Sequence, residues 1–280
     1  MEIEEVRKLT PLKRYMYWIR ERESIRLKKE AGKPKPWTDD EILQTYKFTN
    51  VRRMDDKVSR WLLENWYEPN YGHPNILRAV ALARFLNRIE TLEHIGFPKT
   101  WRPDAVKIKL RAYRDAGNKV FNGAYMVRGN NGVDKIESVV DFNVTPIKDV
   151  ELDLDSMERS HRSLQASYGL GSFMAGQIVA DLRWAMNQGW DDKDHWAPIG
   201  PGSMKGMNCI QERDPKAPLR QERFLEELQD VMEQCRRALP ESITSRMEAM
   251  DYQNCCCEFS KYTRTLEGSG RPKQLYPGRV

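Results

Sequence analysis

Residues 167–182 read SYGLGSFMAGQIVADL. Gly169 and Gly171 stand one residue apart between two stretches of helical pattern, and glycine reaches backbone angles closed to other residues. Ala175 is small, which lets the following helix approach a neighbour closely. The stretch predicts a tight helical hairpin, with one helix over about 150–166 and the next over 172–187. Working outward, residues 2–30 are basic and helix-compatible, with Pro11 placed to start a helix rather than sit inside one. AGKPKPW (31–37) is a break, after which Thr38 or Asp39 can cap a helix through EILQTYKF. Val51, Met54, Val58, Trp61, Leu62 and Trp66 recur at three-and-four spacing over 48–66, the mark of one apolar helix face. Residues 73–96 form another amphipathic pattern, closed by Gly96 and Pro98, and Pro103 opens a third to about 116. Helical patterns return at 220–238 and 242–259. Only 119–144 differs: KVFNGAYMV and VDKIESVVDF flank RGNNG, which predicts a small β-hairpin. No repeat and no shift in composition marks a linker. The simplest expectation is one mainly α-helical domain over 1–280, with a basic N-terminal helix and break (1–36), the helical hairpin (160–187) and an irregular tail (265–280).

Composition bounds the function. The 280 residues hold 46 Lys plus Arg against 41 Asp plus Glu, a net charge of +5. Hydrophobic residues at 40% suffice for a sizeable core, and 31% charged residues point to a chain that lives in water. No apolar run reaches the roughly 18 residues of a membrane span. MEIEEVRKLT carries no secretory pattern. With 17 Gly and 15 Pro, collagen-like and most low-complexity classes are excluded. The five cysteines (209, 235, 255, 256, 257) lack C-x-x-C spacing, and three are adjacent. That pattern suits neither a disulfide framework nor a zinc site, so no metal is expected and reduced thiols in a cytoplasmic protein are.

Four segments could carry chemistry. The glycine turn before Ser172 resembles the helix-hairpin-helix element of DNA repair proteins, in which Gly169, Gly171 and Ser172 would offer backbone N–H groups to a DNA phosphate. A helical hairpin with no ligand fits the pattern equally well. In the related DNA glycosylases a lysine and a later aspartate do the work. Here the lysine position is Phe173, which removes the lyase amine, and the aspartate position falls on Asp191. Gln177 and Asp181, four residues apart, share a helix face and could read a base edge or orient an amine; an exposed polar face is the plainer alternative. The run 200–206, GPGSMKG, could fold as a loop around a phosphate through Gly200, Gly202 and Ser203, with Lys205 as a point charge. It is neither a Walker A nor a Rossmann fingerprint, and a surface turn is the commoner fate of such a stretch. Arg52 and Arg53 could clamp a phosphate, or pair with Asp55 and Asp56 on a solvated face.

In order along the chain, FTNVRRMDD, the Gln177–Asp181 helix, GPGSMKGMN, and CEFSKY with RPKQLY resemble one bacteriophage family. It comprises the α-glutamyl/putrescinyl thymine pyrophosphorylases (amino acid:DNA transferases) and the helical domain of 5-hydroxymethyluracil DNA kinases, and is related to helix-hairpin-helix DNA glycosylases. The resemblance covers roughly residues 25–276. It implies thymine hypermodification: pyrophosphate on 5-pyrophosphoryloxymethyluracil in DNA is replaced by an amine from an amino acid or polyamine, with the base flipped out. Arg52, Arg53, Lys205 and the 200–206 stretch would meet the leaving pyrophosphate. Asp181, or alternatively Asp191, would take the amine's proton, with Gln177 beside it. Asn50, Asp55, Asn208, Glu258, Lys261 and Tyr262 are further positions of the family motifs. No cofactor is required, although a divalent cation could ride on the pyrophosphate. The implied partners are modified DNA, the amine and an upstream DNA kinase, with no membrane, in the host cytoplasm. Two alternatives stay open: a monofunctional glycosylase using Asp191, and a non-catalytic DNA-binding module that serves a hydroxymethyluracil DNA kinase.

Overall fold

The structure is a computed structural model that describes residues 1–123, 132–187 and 189–276. The helices are α1 (Ile3–Arg7), α2 (Pro11–Glu30), α3 (Glu41–Thr45), α4 (Lys57–Leu62), α5 (Ile76–Leu86), α6 (Ile89–Ile95) and α7 (Pro103–Asp115). They continue with α8 (Lys135–Glu137), α9 (Met157–Gln165), α10 (Ser172–Ala185), α11 (Pro201–Ile210), α12 (Gln221–Ala238), α13 (Glu241–Thr244) and α14 (Ala249–Leu266). The fold is mainly helical, and the described residues hold no strand beyond one isolated antiparallel bridge, Tyr46 to Leu275.

Where the composition suggests one domain, the chain gathers into two compact units. The first joins Met1–Asp56 to Asp194–Val280, and the second is Lys57–Lys193. Because the first unit is built from both ends of the chain, no linker composition marks the boundary.

In the first unit the apolar side of α2 (Tyr15, Trp18, Ile19, Ile25) shares a core with Phe48 and with Phe259 and Tyr262 of α14. Each such side chain contributes about 1.5–3 kcal/mol by leaving water. α3 is capped by Asp40, whose Oδ1 accepts from the N–H groups of Ile42 (2.9 Å) and Leu43 (3.0 Å), one residue beyond the expected cap. α11 packs closely on α14. A methyl group at Gly206 would run into the Cys256 carbonyl oxygen, and one at Gly202 into the Cys257 Sγ. Only hydrogen fits at Gly206, where the obstacle is backbone, whereas at Gly202 it is a side-chain sulfur.

The second unit departs from the sequence reading in three places. The 48–66 pattern becomes a helix only from Lys57, and continues as a wider turn over Leu63–Tyr67. The 73–96 pattern is two helices, broken where Asn87 adopts a left-handed backbone (φ 47°). Most of the β-hairpin expectation is overturned. Its second half is helical, as α8 and then Ser138–Val144, and residues 124–131 lie outside the described residues. The reason is legible: Ile136, Val139, Val140 and Val144 are buried at three-and-four spacing, and Asp134 caps the start. β-Branched content suggested strand, but burial followed the helical period.

Candidate functional site

In the first unit, the segment over 47–52 runs without regular structure into a short 3-10 turn, Arg53–Asp55, so its leading backbone N–H groups need partners from outside the segment. α14 supplies several. Thr49 N–H donates to Glu258 Oε2 (3.2 Å), Asn254 Nδ2 donates to Thr49 Oγ1 (3.0 Å), and Arg53 N–H donates to Asp251 Oδ1 (2.8 Å). From α2, the buried Arg22 donates to the carbonyls of Phe48 (3.3 Å) and Thr49 (3.0 Å) and to Asn50 Oδ1 (2.5 Å). Asn50 Nδ2 in turn donates to the Asp55 carbonyl (2.6 Å), which ties the segment into a closed turn.

Arg52 does not stand ready as a phosphate clamp. It is buried, and its guanidinium donates to Asp55 Oδ2 (2.8 Å), Glu23 Oε1 (2.8 Å) and the Ser242 carbonyl (3.4 Å). Glu23 also receives Arg26 (2.6 and 2.8 Å), and Arg26 reaches Glu30 (2.6 Å). Burial alone would raise the Glu23 carboxyl, but Arg26 and Arg52 outweigh it and hold Glu23 below the usual range. Arg53 is half-buried, and it is its backbone N–H that meets Asp251.

The glycine-rich stretch is a correction. Residues 200–206 are not a loop but the N-cap and opening turns of α11. Gly202 and Gly206 serve the close approach to α14, and Gly200 is the N-cap. Ser203 Oγ is buried, accepts from Gly200 N–H (2.9 Å) and Gln253 Nε2 (3.1 Å), and so holds the helix start. A backbone cradle for phosphate is therefore not formed by these glycines. Lys205 is half-buried on the same helix, and Asn208 closes the following turn by donating to the Ala217 carbonyl (2.8 Å). On α14, Lys261 Nζ meets Glu258 Oε1 (2.5 Å) with its side chain 41% exposed. Burial lowers Lys261, but Glu258 more than offsets it and the net is upward. Tyr262 OH donates to Asp40 Oδ2 (2.5 Å), deep in the core, where burial raises the Asp40 carboxyl.

In the second unit the expected helical hairpin is present as α9, a turn, and α10. Gly169 has φ +74°, and a side chain there would strike the Asn143 amide, whose Nδ2 donates to the Tyr168 carbonyl (3.2 Å). Gly171 is the N-cap of α10 and provides no side-chain cap, and His161 Nε2 lies 2.9 Å from the Ser172 carbonyl. Tyr168 (63% exposed) and Phe173 (57%) flank the turn. Asp192 caps α9 through the N–H groups of Met157 (2.8 Å) and Glu158 (3.0 Å). Its neighbour Asp191 is exposed, with its N–H on the Asp155 carbonyl (3.1 Å).

Asp181 lies on the buried face of α10, not at its margin. It is 2% exposed and is gripped by Arg84 of α5, whose Nη2 donates to Oδ1 (2.8 Å) and whose Nε donates to Oδ2. Tyr67 OH also donates to Oδ2 (2.5 Å). Arg84 further donates to Asn87 Oδ1 and Ser59 Oγ (both 3.1 Å). Gln177, one turn earlier, is half-buried. A carboxylate held this way is a clamp between α5 and α10. Arg84 was missed in the sequence, yet an arginine set between Ala83 and Phe85 in the apolar stretch ILRAVALARFL demands a buried partner. Arg22 and Glu23, in the charged run RERESIRLKKE of α2, gave no such signal.

Among the described residues no cluster of three or more His, Cys, Asp or Glu side chains could hold a metal ion, and no helix is long and apolar enough to cross a membrane. The fold is mainly helical, with one polar network in each unit and a glycine-turn helical hairpin in the second. The family described as "5-hmdU DNA kinase, helical domain" matches residues 10–270, and the chain belongs to that family. A 5-hmdU DNA kinase of Bacillus phage SP10 is 29% identical over 235 residues, which is 70% of this chain and 36% of that protein. The match thus spans about a third of the relative's length. No solved structure matches the chain.

Proposed function

We propose that this chain acts in phage thymine hypermodification, replacing the pyrophosphate of 5-pyrophosphoryloxymethyluracil in DNA with an amine. The observation that carries this reading is the convergence of family-motif positions far apart in sequence. Asn50, Arg52, Asp55, Glu258 and Lys261 belong to hydrogen-bonded networks on one segment and the two helices it packs on, α2 and α14. Family membership and the phage kinase relative support the same pathway.

The amine nitrogen attacks the methylene on C5, the carbon–oxygen bond breaks, and pyrophosphate leaves with the electron pair. With Arg52 committed to Glu23 and Asp55, the candidate cations for the leaving group are Arg53, Lys205 and the partly exposed Lys261. As Lys261 turns to the departing phosphate, Glu258 gains an unshared oxygen that can accept the amine's proton. Gly169, Gly171 and Ser172 supply the hairpin start for a DNA phosphate. Asp181 is a positioning residue that holds α10, and Asp191 is an exposed carboxylate of the second unit.

A second reading has a specific observation in its favour. The relative extends well beyond the matched third, and the present sequence has no G-x-x-x-x-G-K-[ST] run. The chain would then be a DNA-binding module serving a hydroxymethyluracil DNA kinase. Nucleoside mass spectrometry separates the two. The protein is incubated with DNA containing 5-pyrophosphoryloxymethyluracil and a pool of amino acids and polyamines. A new thymidine adduct supports transfer. Unchanged nucleosides with DNA still bound overturn transfer in favour of the module.

A further inference from the structure

Apolar side chains left in water tend to scatter, and a cluster of them marks an interaction surface. Among the described residues four Phe, Tyr or Trp side chains are exposed, and three of those four belong to one place in the second unit. Tyr168 stands in the glycine turn and Phe173 in the first turn of α10. Phe142 comes from the Ser138–Val144 turn packed beside them, with its ring centroid 6.3 Å from that of Tyr168.

The backbone that carries these rings is pinned from below. Leu170, between Tyr168 and Phe173, is buried, and its N–H donates to the Ser167 carbonyl (3.2 Å). Asn143 is buried beside Phe142 and donates from Nδ2 to the Tyr168 carbonyl (3.2 Å). The left-handed Gly169 lies against the same amide. Leu170 and Asn143 thus anchor the turn while the rings on either side are held outward. A ring displayed on a fixed backbone loses little entropy when it meets a partner.

The chemistry beside the rings says which partner. Gly171 offers no side-chain cap to α10, and Ala175 N–H is turned to the Gly171 carbonyl (3.0 Å), so the exposed start of the helix carries the positive end of its dipole. Flat aromatic faces next to an anion-attracting helix start match a nucleobase with its own phosphate. An apolar peptide or a hydrocarbon surface would leave the helix start unused. We propose that Phe142, Tyr168 and Phe173 form a platform on which unpaired DNA bases stack, beside a phosphate at the start of α10. In a paired duplex the base faces are already covered by their neighbours, so the platform makes the chain prefer unpaired DNA. Backbone contacts by the hairpin alone carry no such preference. That the partner is DNA rests on the proposed function above; the stacking and the strand preference go beyond it.

The test measures the affinity of the full chain, at one salt concentration, for three DNAs of equal length: a single strand, its paired duplex, and that duplex with one unpaired 2-aminopurine. The single strand and the unpaired site should bind more tightly than the paired duplex, with the 2-aminopurine fluorescence quenched on binding. Tyr168→Ala and Phe173→Ala should each weaken binding to unpaired DNA by about tenfold, the scale of one lost base–aromatic stack. Affinity for the paired duplex and the melting temperature should stay unchanged, because the rings are exposed. Tyr168→Phe should keep the quenching, and Tyr168→Leu, which retains apolar bulk without an aromatic face, should lose it. The proposal is overturned if the wild type binds paired and unpaired DNA equally, or if the alanine variants weaken both forms alike. It is also overturned if those variants turn a dimer into a monomer in sedimentation with DNA affinity unchanged, which would assign the face to a second copy of the chain. Failure to bind any of the three DNAs overturns the platform and the DNA reading together. Stacking that survives while no adduct forms counts against amine transfer alone and leaves the platform standing.

Discussion

The two units each bury arginine against carboxylate, and they do so differently. In the second unit one carboxylate, Asp181, takes Arg84 and Tyr67 and is closed off from water. In the first unit, Glu23, Asp55, Arg26 and Arg52 share the charge, and on α14 Glu258 holds a lysine that reaches the surface. A sealed pair fixes two helices and little else. An ion pair with one exposed partner can exchange that partner for a ligand. The contrast moves the expected chemistry away from Asp181, which the sequence favours, toward the α14 cluster.

The largest effect should come from opening the sealed pair. Asp181→Ala leaves Arg84 buried without its countercharge and should cost about 3–5 kcal/mol in urea unfolding. If Asp181→Ala instead folds with wild-type stability, the two carboxylate arrangements are not different in kind. Gly206→Ala should come next, at about 2–3 kcal/mol, because the methyl meets the backbone carbonyl of Cys256. Gly202→Ala meets mainly the Cys257 side chain, which can shift, and alanine's helix preference of about 1 kcal/mol offsets the rest. The pair of variants measures how much of the α11–α14 contact is backbone on backbone. In the second unit, Gly169→Ala should cost about 1–2 kcal/mol from its left-handed backbone, with the Asn143 contact adding to it.

The smallest effect is on pH dependence, and it falls in a different pH window in each of the two units. Burial depresses His161 below its ordinary 6.5. The unfolded chain therefore binds that proton more readily, and the stability His161 contributes is present above pH 6.5 and lost as pH falls through its folded value. Glu23 is also depressed, by Arg26 and Arg52 against burial, so its contribution is present above 4.5 and lost only in stronger acid. Hydrogen exchange followed from pH 7 to pH 4 should show α9 and α10 softening before α2. A His161→Gln variant should remove the early step.

The sequence carried the helical class and the hairpin because both rest on local signals, periodicity and glycine. α10 and α12 start where their patterns begin. The 200–206 stretch misled because two glycines four apart mean the same thing to a loop and to a close helix pair, and only the partner helix decides. The β-hairpin expectation at 119–144 weighed β-branching over period. Among site residues, Asn50, Asp55 and Glu258 were legible as motif positions, but their partners Arg22 and Glu23 were not. A polar side chain on a charged helix looks solvated until its neighbour across the core is known.

The most direct test of the division between clamp and chemistry is adduct formation by two variants side by side. Lys261→Ala and Asp181→Asn are assayed by nucleoside mass spectrometry on DNA containing 5-pyrophosphoryloxymethyluracil, each at a temperature where circular dichroism shows it folded. The account predicts that Lys261→Ala loses at least about a hundredfold in rate, as removal of a charge available to a leaving group does, with a smaller loss of stability than Asp181→Ala because Lys261 is partly exposed. Folded Asp181→Asn should retain the reaction while melting earlier. An inactive but fully stable Asp181→Asn beside an active Lys261→Ala would contradict it.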